Sequence, residues 1–169
     1  MANKSTGFNE LAAKLNSMST KFQNEVKGIT EYYGGKIETE AIAAAPGPGE
    51  RIRVEGGSIR QDQIADKRRG SFTPISQAIG YSVDPTVYKV TIFVERSAGD
   101  IAAYVEFGTG QSAKSYLATV PPEWRELAQK YYVSGTGTIL NTPYLLPAYL
   151  RNQILFQKEL KAALKNLKL

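Results

Sequence analysis

Phe8, Leu11, Leu15, Met18, Phe22, Val26, Ile29, Tyr33, Ile37 and Ala41 recur every three or four positions. That spacing draws one apolar stripe down one side of a helix, and it commits nearly a quarter of the chain to a single rod. Ser5 or Thr6 can cap its start. Ala44-Ala45-Pro46-Gly47-Pro48-Gly49 stops it, because proline brings no N–H and glycine gains nothing from staying helical. Gly34-Gly35 falls in the middle, and each glycine costs about 1 kcal/mol relative to alanine, which predicts a bend or break there. An unbroken helix of about 38 residues is about 57 Å long at 1.5 Å per residue. Such a rod can lie on a sheet of its own chain, or pack part of its stripe on a neighbouring subunit; its length favours the second. A chain of 169 residues is large enough for one domain and short for two.

After the rod the period changes. Arg51 to Ile59 alternates partly and predicts a strand with a glycine bend. Arg60 to Pro74 is polar, contains Lys67-Arg68-Arg69, and predicts a mobile loop or arm. Ile75 to Tyr81 predicts a further short strand. Val87 to Val94 is built almost wholly of β-branched and aromatic residues and is the clearest strand in the chain. Asp84-Pro85 turns the chain before it and Ser97 to Asp100 after it, so Tyr81 to Phe107 reads as an antiparallel ribbon.

Histidine and cysteine are both absent. Disulfides, thiolate nucleophiles, imidazole acid–base chemistry and the common zinc sites are thereby excluded. No Asp/Glu run has calcium-loop spacing, so no metal and no cofactor is expected. Glu106 stands alone in Tyr104-Val105-Glu106-Phe107-Gly108-Thr109, with no second acid or base beside it. Read as a strand, this stretch points Glu106 away from Val105 and Phe107, toward backbone N–H groups of the Gly108-Thr109-Gly110 turn or toward an arginine. Structural anchoring is its expected role, and no enzyme is expected. The glycines of the turn suit φ > 0 or a close backbone approach, and Gly-Thr-Gly lacks the Lys-Ser/Thr of a phosphate loop.

Gln111 to Asn141 holds a short helix led by Pro121-Pro122, and Tyr116, Trp124, Tyr131 and Tyr132 give it a concentration of aromatic surface. Those four suit either a contact with a partner or a small satellite core. Pro143 to Leu169 forms a closing helix that begins near Pro143 or Pro147. Its apolar residues spread over more than one stripe, which calls for more than one neighbour. Lys158, Lys161, Lys165 and Lys168 line its polar side. The fold class read from all this is α+β: a long N-terminal helix, an antiparallel sheet of about four strands, and a C-terminal helix packed on the sheet.

Tyr104-Val105-Glu106-Phe107-Gly108-Thr109 and the later Pro143-Tyr144-Leu145-Leu146-Pro147-Ala148 together resemble the signature of the neck or tail-completion proteins of long-tailed bacteriophages. Tyr144 stands where that family usually has Phe, and Leu146 where it has Arg. The family joins the two motifs by a short loop, whereas residues 111–141 intervene here, so the chain reads as one domain, 1–169, with an inserted segment. The resemblance implies a structural virion protein forming a ring of six or twelve subunits at the head–tail junction. It also implies contacts with other head–tail connector and tail proteins, and a channel through which DNA passes. Synthesis is expected in the host cytoplasm, since the N-terminus lacks a signal-peptide core and no apolar run approaches the roughly 20 residues of a membrane span. The alternative is a nucleic-acid-binding accessory protein acting through Arg60, Lys67, Arg68, Arg69 and the lysine-rich final helix, a reading that the net charge of +5 invites.

Overall fold

The apolar stripe is carried by helix α1, Thr20–Ala44, in a computed structural model that describes residues 20–64, 72–98, 100–132 and 138–166. Phe8 to Met18 and the candidate caps Ser5 and Thr6 lie outside the described residues. Phe22, Val26, Ile29, Tyr33, Ile37 and Ala41 are buried, on the face their spacing predicts. Where a bend or break was expected, the helix runs without a break through Gly34-Gly35. A methyl group added at Gly34 would fall 2.6 and 2.8 Å from ring carbons of Tyr81 and 3.3 Å from Val90 Cγ1. Gly34 is therefore the gap into which the Tyr81 ring fits, and helix continuity is kept by packing rather than by propensity. The helix stops at Ala44, two residues before Pro46, and Ala45 N–H still reaches Ala41 O at 2.9 Å.

Strands β1, Arg51–Val54, and β2, Gly57–Arg60, form a hairpin turned at Glu55-Gly56, with Gly56 at φ 79°. The expected single strand with a glycine bend is thus a pair of strands, in register from Arg51↔Arg60 to Val54↔Gly57. A single turn, α2, Gln61–Ile64, follows. Ile75–Ala78, expected to be extended, is a helical turn, α3, opened by Pro74. Strand β3, Ile79–Asp84, and strand β4, Lys89–Val94, then make the expected hairpin over six matched pairs. Among the described residues there are four strands, divided between two antiparallel ribbons rather than joined in one sheet.

The largest departure from the sequence reading lies at Ile101–Phe107, which is a helix, α4, and not a strand. Its buried residues include Ile101, Ala102, Val105 and Glu106, the i, i+1, i+4, i+5 set of one helical face. Helix α5, Gly110–Leu117, was not anticipated, whereas α6, Pro122–Tyr132, starts at the predicted prolines. Chain returning from α6 meets the β1 edge: Val54 bridges Ile139, Glu55 N–H donates to Thr138 O at 2.7 Å, and Leu140 N–H to Arg53 O at 3.0 Å. The last helix, α7, is Leu145–Asn166.

Helices α1 and α7 run antiparallel, since Glu40 meets Arg151, Tyr33 meets Phe156, and Phe22 and Val26 share a core with Leu160 and Ala163. The β3–β4 ribbon packs on α1 beside that face, with Tyr81 against Gly34 and Tyr88 in the same core as Phe22 and Leu160. A second core gathers Ile37 and Ala41 of α1 with Ile52, Ile79, Ile101, Val105, Tyr144 and Ala148. The first turns of α7 therefore enter the core between the ribbons, and its later turns follow α1. The architecture is α+β, as the sequence reading had it.

Candidate functional site

Helix α4 presents a carboxylate to the interior: Glu106 is only 3% exposed. One of its oxygens, Oε2, accepts the backbone N–H groups of Tyr144 and Leu145, each at 2.8 Å, and Oε1 accepts that of Leu146 at 3.0 Å. These are N–H groups at the head of α7, which have no partner within their own helix. Glu106 thus caps a helix lying 38 to 40 residues further along the chain, and its negative charge sits at the positive end of the α7 dipole.

Burial raises the Glu106 carboxyl above its ordinary 4.5 and outweighs the three N–H groups, which favour the charged form. Burial, followed by the charge of Glu106, raises the phenols of Tyr144 and Tyr116 well above the usual tyrosine range.

Further bonds run alongside. The Tyr144 hydroxyl donates to Ala102 O at 3.2 Å, and Thr142 N–H to Val105 O at 2.7 Å. Thr109 exchanges two bonds with Ile139: its N–H donates to Ile139 O, and its hydroxyl accepts Ile139 N–H, both at 3.0 Å. The Ser112 hydroxyl accepts Asn141 N–H at 2.9 Å and donates to Asn141 Oδ1 at 2.8 Å. Gly108, at φ 77°, ends α4 with no room for a side chain, since a methyl group there would lie 2.8 Å from Ser112 Oγ and 3.0 Å from Asn141 N. Residues 139–146 are laced onto α4, the turn after it and the start of α5, forming a clamp centred on Glu106.

The clamp unites Glu106, Gly108 and Thr109 with the Tyr144-to-Leu146 segment that lies between Pro143 and Pro147. Tyr104 is half-buried on α4, and Phe107 is buried with its ring 6.4 Å from that of Tyr116. Pro147 sits in the first turn of α7, where a missing N–H does least harm. The accepting role read for Glu106 is present, but its donors are the head of α7 rather than the Gly108-Thr109-Gly110 turn or an arginine. Trp124 packs on Tyr149 with ring centroids 5.5 Å apart, which ties α6 to α7. The side chains of Tyr131 and Tyr132 are outside the described set, and Lys67, Arg68 and Arg69 lie outside the described residues. Arg60 is exposed and engages Asp62 through two bonds of 3.0 and 2.7 Å. Ser112 and Asn141 escaped the sequence reading, because residues 29 apart leave no spacing signal.

Among the described residues no three acidic side chains converge as a metal site would require, and no helix is long and apolar enough to cross a membrane. Compared with protein-family models, curated proteins and solved structures, the chain matches none. The geometry on view is that of a joint: the buried Glu106 carboxyl and a set of backbone bonds hold two distant segments together.

Proposed function

We propose that this chain is a structural virion protein that assembles into a ring at a bacteriophage head–tail junction, completing the neck and leaving a channel for DNA. The observation that carries the reading is the Glu106 clamp. The two stretches that resemble the neck-protein signature are the ones it binds together, despite the long segment between them. An unrelated coincidence of motifs has no reason to converge on one hydrogen-bonded carboxylate. Tyr32, Ile42, Ile154 and Leu155 on α1 and α7 are exposed, which suits a chain that buries more surface on assembly. Its partners are further copies of itself and the connector and tail proteins on either side.

Electron microscopy of particles made with this gene inactivated tests the reading. DNA-filled heads beside unattached tails are the expected result. Joined, normal particles refute it. In that case DNA binding across a salt series tests the nucleic-acid reading, of whose candidate residues Arg60 is paired with Asp62, while Lys158, Lys161 and Lys165 are exposed on α7.

A further inference from the structure

The β3–β4 ribbon has two strands and therefore two outer edges, each six residues long. Among the described residues no backbone hydrogen bond reaches either edge from outside the ribbon. Edges of this kind are normally blunted by proline, a bulge or charge, because they present unpaired N–H and C=O groups to any passing strand. Here the register runs unbroken from Ile79↔Val94 to Asp84↔Lys89, without a bulge or an internal proline. The lone lysine of β4, Lys89, sits at the strand end opposite Asp84. One face of the ribbon is occupied by α1. The other carries Ser82, Asp84, Lys89, Thr91 and Phe93, all exposed.

We infer that neighbouring copies join edge to edge, the β4 edge of one copy pairing antiparallel with the β3 edge of the next. The occupant is a second copy because the complement is already written into the chain. β3 and β4 match in length, and their facing residues pair Asp84 with Lys89 and Ser82 with Thr91 within one molecule. The same pairing between molecules repeats the charge match and keeps the strands alternating in direction. A β4-to-β3 contact is head-to-tail, so each copy retains one edge for the next, and closure of the circle leaves no edge open. Pairing β4 with β4 would instead stop at a dimer. This inference rests on the ring reading and specifies its interface.

The chain has no cysteine, so single cysteines report contacts cleanly. Thr91→Cys is mixed in equal amount with Ser82→Cys or, for a register shifted by one residue pair, with Asp84→Cys, and the mixtures are gently oxidised at assembling concentration. Exposed Glu126→Cys on α6 is the control, and light scattering gives the assembly mass in parallel. A covalent dimer from Thr91→Cys with one of the two β3 variants, absent with the control and from Thr91→Cys alone, is the expected result. A ring-sized mass without either cross-link overturns the edge pairing and leaves the ring reading standing. Monomeric protein without cross-links overturns both. Cross-linking of Thr91→Cys to itself overturns the inference in favour of a β4–β4 dimer.

Discussion

Replacing Glu106 with alanine takes both acceptor oxygens from three N–H groups at the head of α7. Tyr144 and Leu146 are buried, so water does not substitute there, whereas half-buried Leu145 can be rehydrated. A buried donor left without an acceptor costs about 1–3 kcal/mol, and two of them therefore about 2–6 kcal/mol. Removing a carboxylate that was itself desolvated offsets part of this, leaving a net loss of about 3 kcal/mol. For a domain of this size 1 kcal/mol moves the midpoint by about 2–4 °C, so Glu106→Ala should melt about 6–12 °C below the parent. That is a large part of a typical stability of about 5–15 kcal/mol, but it leaves a folded protein to measure. Differential scanning calorimetry at neutral pH is the assay. Glu106→Gln keeps one carbonyl oxygen for the pair of N–H groups now sharing Oε2 but turns an amide NH2 toward the buried Leu146 N–H, and should lose about half as much or somewhat more. A drop for Glu106→Ala equivalent to under about 1 kcal/mol would refute the clamp as the element that holds α7 in place.

The neighbouring glycines of α1 should respond in opposite directions: Gly34→Ala destabilises, because its methyl group meets the Tyr81 ring at 2.6 Å, while Gly35→Ala, with 3.6 Å of room, stabilises by about 1 kcal/mol. Denaturant melts of the two variants decide this, and equal gains would show that the ribbon does not press on the helix. With the Glu106 carboxyl held above 4.5, the folded state grips its proton more tightly than the unfolded chain does. The resulting stabilisation is complete below pH 4.5 and is lost as pH rises through the folded-state value, so the stability of the parent relative to Glu106→Gln should fall across that window. A flat difference between the two would contradict the sign. Trp124→Ala removes the ring that meets Tyr149 and should speed proteolysis within α6; unchanged cleavage with lost assembly would place Trp124 at a subunit contact instead.

Periodicity carried the reading of α1 and α7, because each displays its buried face as a repeat within one element, whereas the leading prolines carried that of α6. It failed at residues 101–107 for a definite reason. Val105 and Phe107 look extended by propensity, but Ile101, Ala102, Val105 and Glu106 bury as a helical set, and tertiary context decided between the two. Gly34 misled in another way: a residue that looks like a break was a space reserved for Tyr81, and a single sequence does not say which strand will cross a helix. At the site, the sequence pointed to Glu106 as an anchor and to Pro143 through Pro147 as a helix entry. It could not join them, since a capping bond spanning 38 residues has no local signature. Ser112 and Asn141 are invisible for the same reason.

The lacing of residues 139–146 onto 105–112 makes the chain between them a loop with both ends fixed at one point. Closure entropy grows only logarithmically, so doubling the length of a flexible loop costs about 0.6 kcal/mol. Length in the segment bearing α5 and α6 is therefore cheap to add at its exposed positions, provided that Ser112, the buried Ala113 and Ala128, and the Trp124 contact with Tyr149 are kept. The few residues at its exit have no such licence: a deletion of one residue between Thr138 and Tyr144 shifts every N–H that Glu106 accepts. The molecule thus combines a tolerant insertion site with an intolerant seam, and natural variation in chains built this way should collect in the first and spare the second.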